Sequence, residues 1–161
     1  MKNLIISIFC LLSFGMVQSQ SYTGKGDQKL EFGYSFYGYG DGIKANYDYG
    51  ISDLFSVGAG GNFFFDSEDS DDNDFYLYAR TNVHLGIVLD LPSKFDIYPG
   101  LQLGYLSRGD VGFSAYVGLR YFISKRVGIF AELGNQGAAG ISINISPAGT
   151  TGSLAYAYRR P

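Results

Sequence analysis

The chain has 161 residues, a length that suits a single domain. Its formal net charge is −3 and only 17 % of its residues are charged, which excludes the basic patch that nucleic-acid binding requires. The 23 glycines, 14 tyrosines and 13 phenylalanines, together with the lack of any amphipathic helical pattern, favour an all-β domain.

The first 19 residues have the pattern of a cleaved secretory signal peptide. Lys2 precedes an apolar segment over residues 4–17, and small residues follow at the predicted cleavage site. This segment is shorter than the roughly 20 residues of a membrane-spanning helix, so a retained anchor is the weaker alternative. Cys10 is the only cysteine and would be lost with the signal, which leaves no disulfide and no cysteine metal site. Residues 20–29 are polar and are predicted to form a mobile leader.

Eight segments with alternating apolar and polar residues follow, and each of them predicts a β-strand. The predicted strands cover residues 30–36, 43–51, 55–65, 75–89, 95–105, 113–121, 127–134 and 141–145. Pro99 cannot donate to a strand ladder, so a β-bulge is expected there. Because the links between the strands are short and contain no helix, we predict an eight-stranded antiparallel up-and-down barrel over residues 30–146.

The two faces of these strands differ in polarity. One face is aliphatic and aromatic throughout, and the other carries Glu31, Lys44, Asp48, Arg80, His84, Asp96, Arg120 and Glu132. An apolar face turned inward would give a soluble, lipocalin-like binder with the charged side chains exposed. An apolar face turned outward gives a transmembrane β-barrel with a polar interior, and this is the arrangement we predict. An aromatic girdle is expected from Tyr37, Tyr39, Tyr49, Tyr76, Tyr98 and Tyr105, which lie near strand ends.

With its signal, strand number, outward alternation and inward charges, the chain resembles small eight-stranded bacterial outer-membrane barrels, the type represented by the OmpA membrane domain and OmpX. The resemblance covers residues 30–146 and implies a monomer in the bacterial outer membrane that contacts outer-membrane lipid and the assembly machinery. Such chains usually end in an aromatic residue, whereas this one continues into a tail over residues 147–161. Within that tail, residues 153–158 alternate and are an alternative final strand.

The charged side chains of the inner face nearly cancel one another. A buried charge is costly unless it is paired, so we predict a lumen ion-pair network around Arg80 and Arg120. His84 is the only histidine, and it is expected to be a hydrogen-bonded residue of this interior. No nucleophile motif is recognisable, so no catalytic residue, cofactor or metal is predicted.

An acidic run joins the third and fourth predicted strands and is expected to be an extracellular loop. Its carboxylates are Asp66, Glu68, Asp69, Asp71, Asp72 and Asp74. Carboxylate oxygens suit Ca²⁺, but the run lacks the glycine and the terminal glutamate of an EF-hand loop. A solvated loop is therefore favoured over a cation site.

The sequence favours a structural or surface-interaction role for the barrel. The interior of an eight-stranded barrel is about wide enough for side chains to fill, which argues against conduction. The alternatives are a narrow channel or transporter for small solutes and a lipid-modifying enzyme. A leader that starts in the periplasm would place the links at 38–42, 66–74, 107–112 and 134–137 outside, and the shorter links at 52–54, 90–94 and 124–126 inside.

Overall fold

The computed structural model describes residues 21–67, 74–107 and 109–146. Eight antiparallel strands each pair with the next along the chain, and the last pairs with the first, so that the sheet closes into a barrel. The strands are β1 Gln28–Tyr37, β2 Gly40–Gly50, β3 Phe55–Ser67, β4 Asp74–Val83, β5 Phe95–Leu106, β6 Val111–Phe122, β7 Val127–Gly134 and β8 Gly137–Asn144. The predicted all-β meander of eight strands is confirmed. The described residues include no helix long and apolar enough to cross a bilayer.

The barrel closes through β8, which pairs with β7 on one side and with β1 on the other. Ile143 faces Val127 in one ladder and Leu30 in the other. Closure is therefore complete between residues 28 and 144. The predicted signal over residues 1–19 and the predicted tail over residues 147–161 lie outside the described residues.

The polarity of the barrel is the reverse of that of a soluble domain. Leu77 and Leu103, on adjacent strands, are each 58 % exposed, whereas the guanidinium-bearing Arg120 is fully buried. Large apolar side chains are exposed on every strand, whereas the buried charged side chains of the strands all lie on their inner face. The lipocalin-like alternative needs the opposite arrangement, so the structure excludes it.

The fourth strand is shorter than predicted. β4 ends at Val83, and the chain then curls back, with the Leu89 amide donating to the carbonyl of Leu85 at 2.9 Å. Asp90 has a left-handed backbone with φ of 51°. The β4–β5 link therefore covers residues 84–94 instead of 90–94, and the prediction of a strand up to Leu89 is wrong. The alternation of Leu85, Ile87 and Leu89 resembles that of a strand. Residues 85–91 nevertheless form backbone hydrogen bonds with one another instead of a ladder with β5.

The expected bulge at Pro99 is also absent, because Pro99 lies opposite Val117 in an unbroken β5–β6 register. The carbonyl of Ile97 accepts a bond from the Leu85 amide on the β4 side, so the nitrogen of Pro99 points to that side as well. The β4–β5 ladder begins only at Gly100. The missing donor of Pro99 thus falls beyond the end of the ladder, where a regular strand tolerates proline.

Residues 21–27 fold against the barrel, whereas the sequence predicts a mobile leader over 20–29. The Ser21 amide donates to the carbonyl of Ser93 at 2.7 Å, and the Gly26 amide donates to the carbonyl of Gly50 at 2.8 Å. Both partners lie at the barrel end that carries the 51–54, 84–94 and 123–126 links. The segment therefore crosses this opening, and we call residues 21–27 the N-terminal segment below.

Candidate functional site: the charged barrel interior

Arg120 of β6 lies at the centre of the barrel interior and binds acidic side chains from two other strands. Its Nη2 and Nε atoms donate to Oε1 of Glu31 at 2.6 and 3.0 Å. Nη2 also lies 3.3 Å from Oδ2 of Asp48. All three side chains are buried, so their charges are balanced by one another rather than by water.

Arg80 of β4 joins the same acids to a third one. Its Nη2 donates to Oε1 of Glu132 at 2.6 Å, and its Nε lies 3.2 Å from Oδ1 of Asp48. The Nη1 atom lies 3.5 Å from Oε2 of Glu31. Glu132 also accepts from Nζ of Lys44 at 2.6 Å through its second oxygen. Asp48 and Glu31 thus bridge the two arginines, and all these charges form one network.

His84 and Asp96 extend this network toward the end crossed by the N-terminal segment. Nδ1 of His84 lies 2.6 Å from Oδ2 of Asp96, which in turn lies 3.7 Å from Nη1 of Arg120. The other ring nitrogen, Nε2, lies 2.9 Å from Oγ of Ser56. The structure therefore brings together all eight charged or titratable residues that the sequence placed in the interior.

A further ion pair, which the sequence analysis missed, lies at the same end. Nζ of Lys29 donates to Oδ1 of Asp27 at 2.5 Å, and the Thr23 amide donates to Oδ2 at 2.6 Å. Burial alone would raise the pKa of Asp27, but the charge of Lys29 and the hydrogen bonds from Lys29 and Thr23 outweigh it, so this pKa is lowered. Lys29 shares the inward parity of Glu31, which is a usable signal. The prediction of a leader over residues 20–29 leaves Lys29 out of the interior.

Tyrosine rings fill the space around the two arginines. The guanidinium carbon of Arg120 lies 4.4 Å from the ring centroid of Tyr98, and that of Arg80 lies 5.1 Å from the centroid of Tyr116. The Tyr98 hydroxyl donates to Glu132, and the Tyr116 hydroxyl donates to Oδ1 of Asn82.

The predicted aromatic girdle is wrong for two of its tyrosines, because Tyr76 and Tyr98 are fully buried in the interior. Tyr37, Tyr49 and Tyr105 are exposed on the outside. Strand parity places Tyr98 correctly, because Tyr98 shares the inward parity of Asp96 and Gly100. Position near a strand end does not separate the buried tyrosines from the exposed ones.

Glycines on neighbouring strands make room for these rings. Tyr98 faces Gly118 across the β5–β6 ladder, and Gly100 faces Tyr116 in the same ladder. A Cβ atom on Gly118 would lie 2.2 Å from Cζ of Tyr98. The ring therefore lies directly over the glycine backbone, and no larger residue fits without moving it.

An aromatic and apolar cluster fills the opposite end of the interior. Phe64, Tyr76, Tyr78 and Leu106 are buried there, with Tyr39 packed against them. The Tyr76 hydroxyl donates to the carbonyl of Gly112 at 3.0 Å. We call this end of the interior the apolar end, although Asn62 is also buried there and donates to Ser35 and Gln136. The charged centre separates it from the end crossed by the N-terminal segment, which we call the polar end.

The acidic run is only partly described. Asp66 is a residue of β3 and Asp74 begins β4, where its Oδ1 accepts from the Ser107 hydroxyl at 2.7 Å. Glu68, Asp69, Asp71 and Asp72 lie outside the described residues, so the expected extracellular loop and cation site stay predictions. The described part of the chain holds no group of three or more His, Cys, Asp or Glu side chains suited to a metal ion.

Comparisons with known proteins extend only as far as the fold. The model of a family of unknown function, DUF6646, matches residues 12–145. A designed barrel from work on the de novo design of transmembrane β-barrels has a TM-score of 0.63 and 16 % identity, over 75 % of this chain and 97 % of the design. The designed barrel TMB2.3, solved by solution NMR, has a TM-score of 0.54 and 19 % identity, over 77 % of this chain and 98 % of the design. No curated protein matches the chain.

Proposed function

The chain belongs to DUF6646, a family of unknown function, and we propose that it is a bacterial outer-membrane β-barrel with a structural or surface-interaction role. The observation that carries this proposal is the reversed polarity of the barrel. Ile43, Leu77 and Leu103 expose apolar surface on the outside, while Glu31, Arg80 and Arg120 are buried inside. Exposed apolar surface on this scale is stable in lipid and not in water. Outer-membrane lipid is therefore the proposed partner of this apolar outer surface.

A role without conduction follows from the charged network. Arg80, Arg120 and Glu132 reach across the interior from β4, β6 and β7 and are paired at distances down to 2.6 Å. An ion that passed through would have to break these pairs, and each broken pair leaves a buried charge uncompensated. We therefore propose that the barrel acts through its outer surface and its loops.

The proposal includes export through the predicted signal peptide, insertion by the outer-membrane assembly machinery and a monomeric state. It also places the N-terminal segment on the periplasmic side. Link lengths do not support this orientation, because the 84–94 link lies at the same end as the N-terminal segment, whereas longer links are usual on the outside. An epitope at Ser70 should be labelled on intact cells and one at Lys125 only after lysis. The reverse result would invert the orientation.

Three measurements test the proposal together. The protein should sediment with outer membranes, should migrate faster on SDS gels before boiling than after it, and should give no stable conductance in planar bilayers. Recovery in the soluble periplasmic fraction would reject the membrane location. Stable open channels from purified protein would instead favour the narrow channel.

One observation favours an enzyme as the second candidate. Asp96, His84 and Ser56 are hydrogen-bonded in the order of a serine hydrolase triad, with the serine on Nε2 and the carboxylate on Nδ1. Against it, Oγ of Ser56 is buried and already accepts from Nδ2 of Asn82 at 3.1 Å. Labelling of the folded protein by a fluorophosphonate, lost in Ser56→Ala, would establish the enzyme. Absence of labelling would leave the triad as a structural hydrogen-bond chain.

A further inference from the structure

The N-terminal segment inserts an aromatic side chain into the polar end of the barrel. The ring of Tyr22 stacks on the imidazole of His84, with centroids 3.5 Å apart and an angle of 8° between the planes. Only 8 % of Tyr22 is exposed. The contact is therefore the face-to-face packing of one ring on another, inside the barrel wall.

The hydroxyl of Tyr22 is held by the barrel backbone. It lies 2.8 Å from the carbonyl oxygen of Ser52 and 2.8 Å from that of Phe55, so its proton is shared between two acceptors. Burial raises the pKa of Tyr22, and the nearby carboxylate of Asp27 raises it further, so the phenol stays protonated and can donate. A stacked ring with two fixed carbonyl acceptors selects a phenol over a plain aromatic ring.

The site is closely fitted to this side chain. The space left beside Tyr22 has a volume of about 10 Å³ and is bordered by Ser21, Gly86 and Asp96 among others. This is about the volume that one water molecule needs. This pocket beside Tyr22 is therefore too small to hold a second ring.

The chain on both sides of Tyr22 is also attached to the barrel. Oγ of Ser21 donates to the carbonyl of Phe95 at 2.7 Å, and Asp27 is bound by Lys29 and by the Ser146 hydroxyl. Gly24 makes the turn between these points with φ of +89°, and a Cβ there would lie 2.7 Å from Oδ1 of Asp53. The segment is therefore shaped to deliver Tyr22 to the site.

We propose that this end of the barrel is a phenol-binding site and that Tyr22 is its tethered ligand, so that the N-terminal segment plugs the opening. The site is formed by the His84 ring and by the backbone carbonyls of Ser52 and Phe55. Its ligand class is a neutral phenol of the size of the tyrosine side chain. This inference goes beyond the proposed function and depends on the barrel end alone, in whichever membrane or medium the barrel resides.

Chemical rescue tests the site. In Tyr22→Ala, loss of the ring and its hydrogen bonds should lower the apparent melting temperature in detergent by roughly 5 °C, and free p-cresol should restore part of it in a saturable manner. Toluene, which has the same shape without the hydroxyl, should restore much less. Wild type should not respond, because the site is filled. Tyr49→Ala, at an exposed tyrosine, should neither lose stability to the same degree nor respond to p-cresol.

Three outcomes overturn the proposal. The first is a Tyr22→Ala protein as stable as wild type, the second is equal rescue of Tyr22→Ala by p-cresol and toluene, and the third is an equal response of wild type and Tyr22→Ala to p-cresol. If Tyr22→Ala does not fold, Tyr22→Phe keeps the ring and removes only the hydroxyl. In Tyr22→Phe, the Gly26 amide should exchange hydrogen faster than in wild type, while the exchange rates of the strand amides should stay unchanged. Unchanged exchange at Gly26 would also reject the site.

Discussion

The two ends of the barrel interior are closed by different means. At the apolar end, the strands themselves supply Phe64, Tyr76 and Leu106, and Tyr39 of the short β1–β2 link packs against them. At the polar end, the N-terminal segment supplies Tyr22 and Asp27 from outside the strands. Period-two alternation can encode the first closure, because its side chains belong to strands. The second depends on a piece of chain that lacks any strand pattern.

Between the two ends, the charged centre should contribute most to the uniqueness of the fold. Arg120 contacts Glu31, Asp48 and Asp96 from three other strands. These strands are distant in sequence but are brought together by the closed sheet. A shift of register in any of them would separate the charges.

The largest effect is expected from the centre. Arg120→Ala removes the partner of Glu31 and Asp48 and leaves their carboxylates buried without it, so it should lower the free energy of unfolding by about 3 to 5 kcal/mol. Arg126→Ala removes an exposed arginine on the β6–β7 link and should change it by less than about 0.5 kcal/mol. Urea unfolding in detergent micelles measures both. Equal midpoints for the two variants would show that the network is not the stabilising core of the barrel.

A smaller effect is expected at Gly118, where the ring of Tyr98 lies against the strand backbone. Gly118→Ala would place a Cβ 2.2 Å from the Tyr98 ring and force this ring off its position beside Arg120. Overpacking of this kind costs about 1 to 3 kcal/mol. Gly61→Ala is the matched control, since its Cβ would lie closest to the flexible Cδ2 of Leu77, at 3.0 Å, and in ordinary contact with the carbonyl oxygen of Tyr76, at 3.6 Å.

The double variant Gly118→Ala with Tyr98→Leu tests whether the Tyr98 ring is the cause of the stability lost in Gly118→Ala. The branched side chain lacks the part of the ring that the new Cβ would strike, so Gly118→Ala should cost less in the Tyr98→Leu background than in wild type. The same cost in both backgrounds would mean that the ring is not what the glycine accommodates.

Much of this arrangement follows from alternation alone. Glu31, Arg80 and Glu132 have inward parity on strands whose other face is apolar, and this is enough to place them inside. Alternation does not determine which charged side chains contact one another. The 2.6 Å contact between Arg80 and Glu132 joins β4 to β7 across the lumen and depends on the shear of the closed sheet, which a single sequence does not reveal.

The errors have physical causes as well. Leu85 and Leu89 continue the apolar alternation of β4 in the sequence, but the chain turns back on itself there and successive side chains from Val88 to Asp90 are all exposed. Tyr98 has inward parity on β5 and also lies near a strand end, and only the parity agrees with its burial. The sequence does not predict the contacts of Tyr22 and Asp27, because the buried contacts of a nonrepetitive segment leave no periodic signal.

The smallest effect is expected from protonation at the polar end. The pKa of Asp27 is lowered in the folded protein, so its carboxylate stabilises the N-terminal segment fully above the ordinary value of 3.8, and this contribution is lost as pH falls through the lowered value. After correction for intrinsic exchange, the Gly26 amide should therefore lose protection below about pH 4, by up to roughly tenfold for each unit of lowering. Asp27→Asn should already be less protected at neutral pH and should lack this step. A loss of protection that is equal in the N-terminal segment and in β7 would instead indicate opening of the whole barrel, and it would remove the distinction between the two ends.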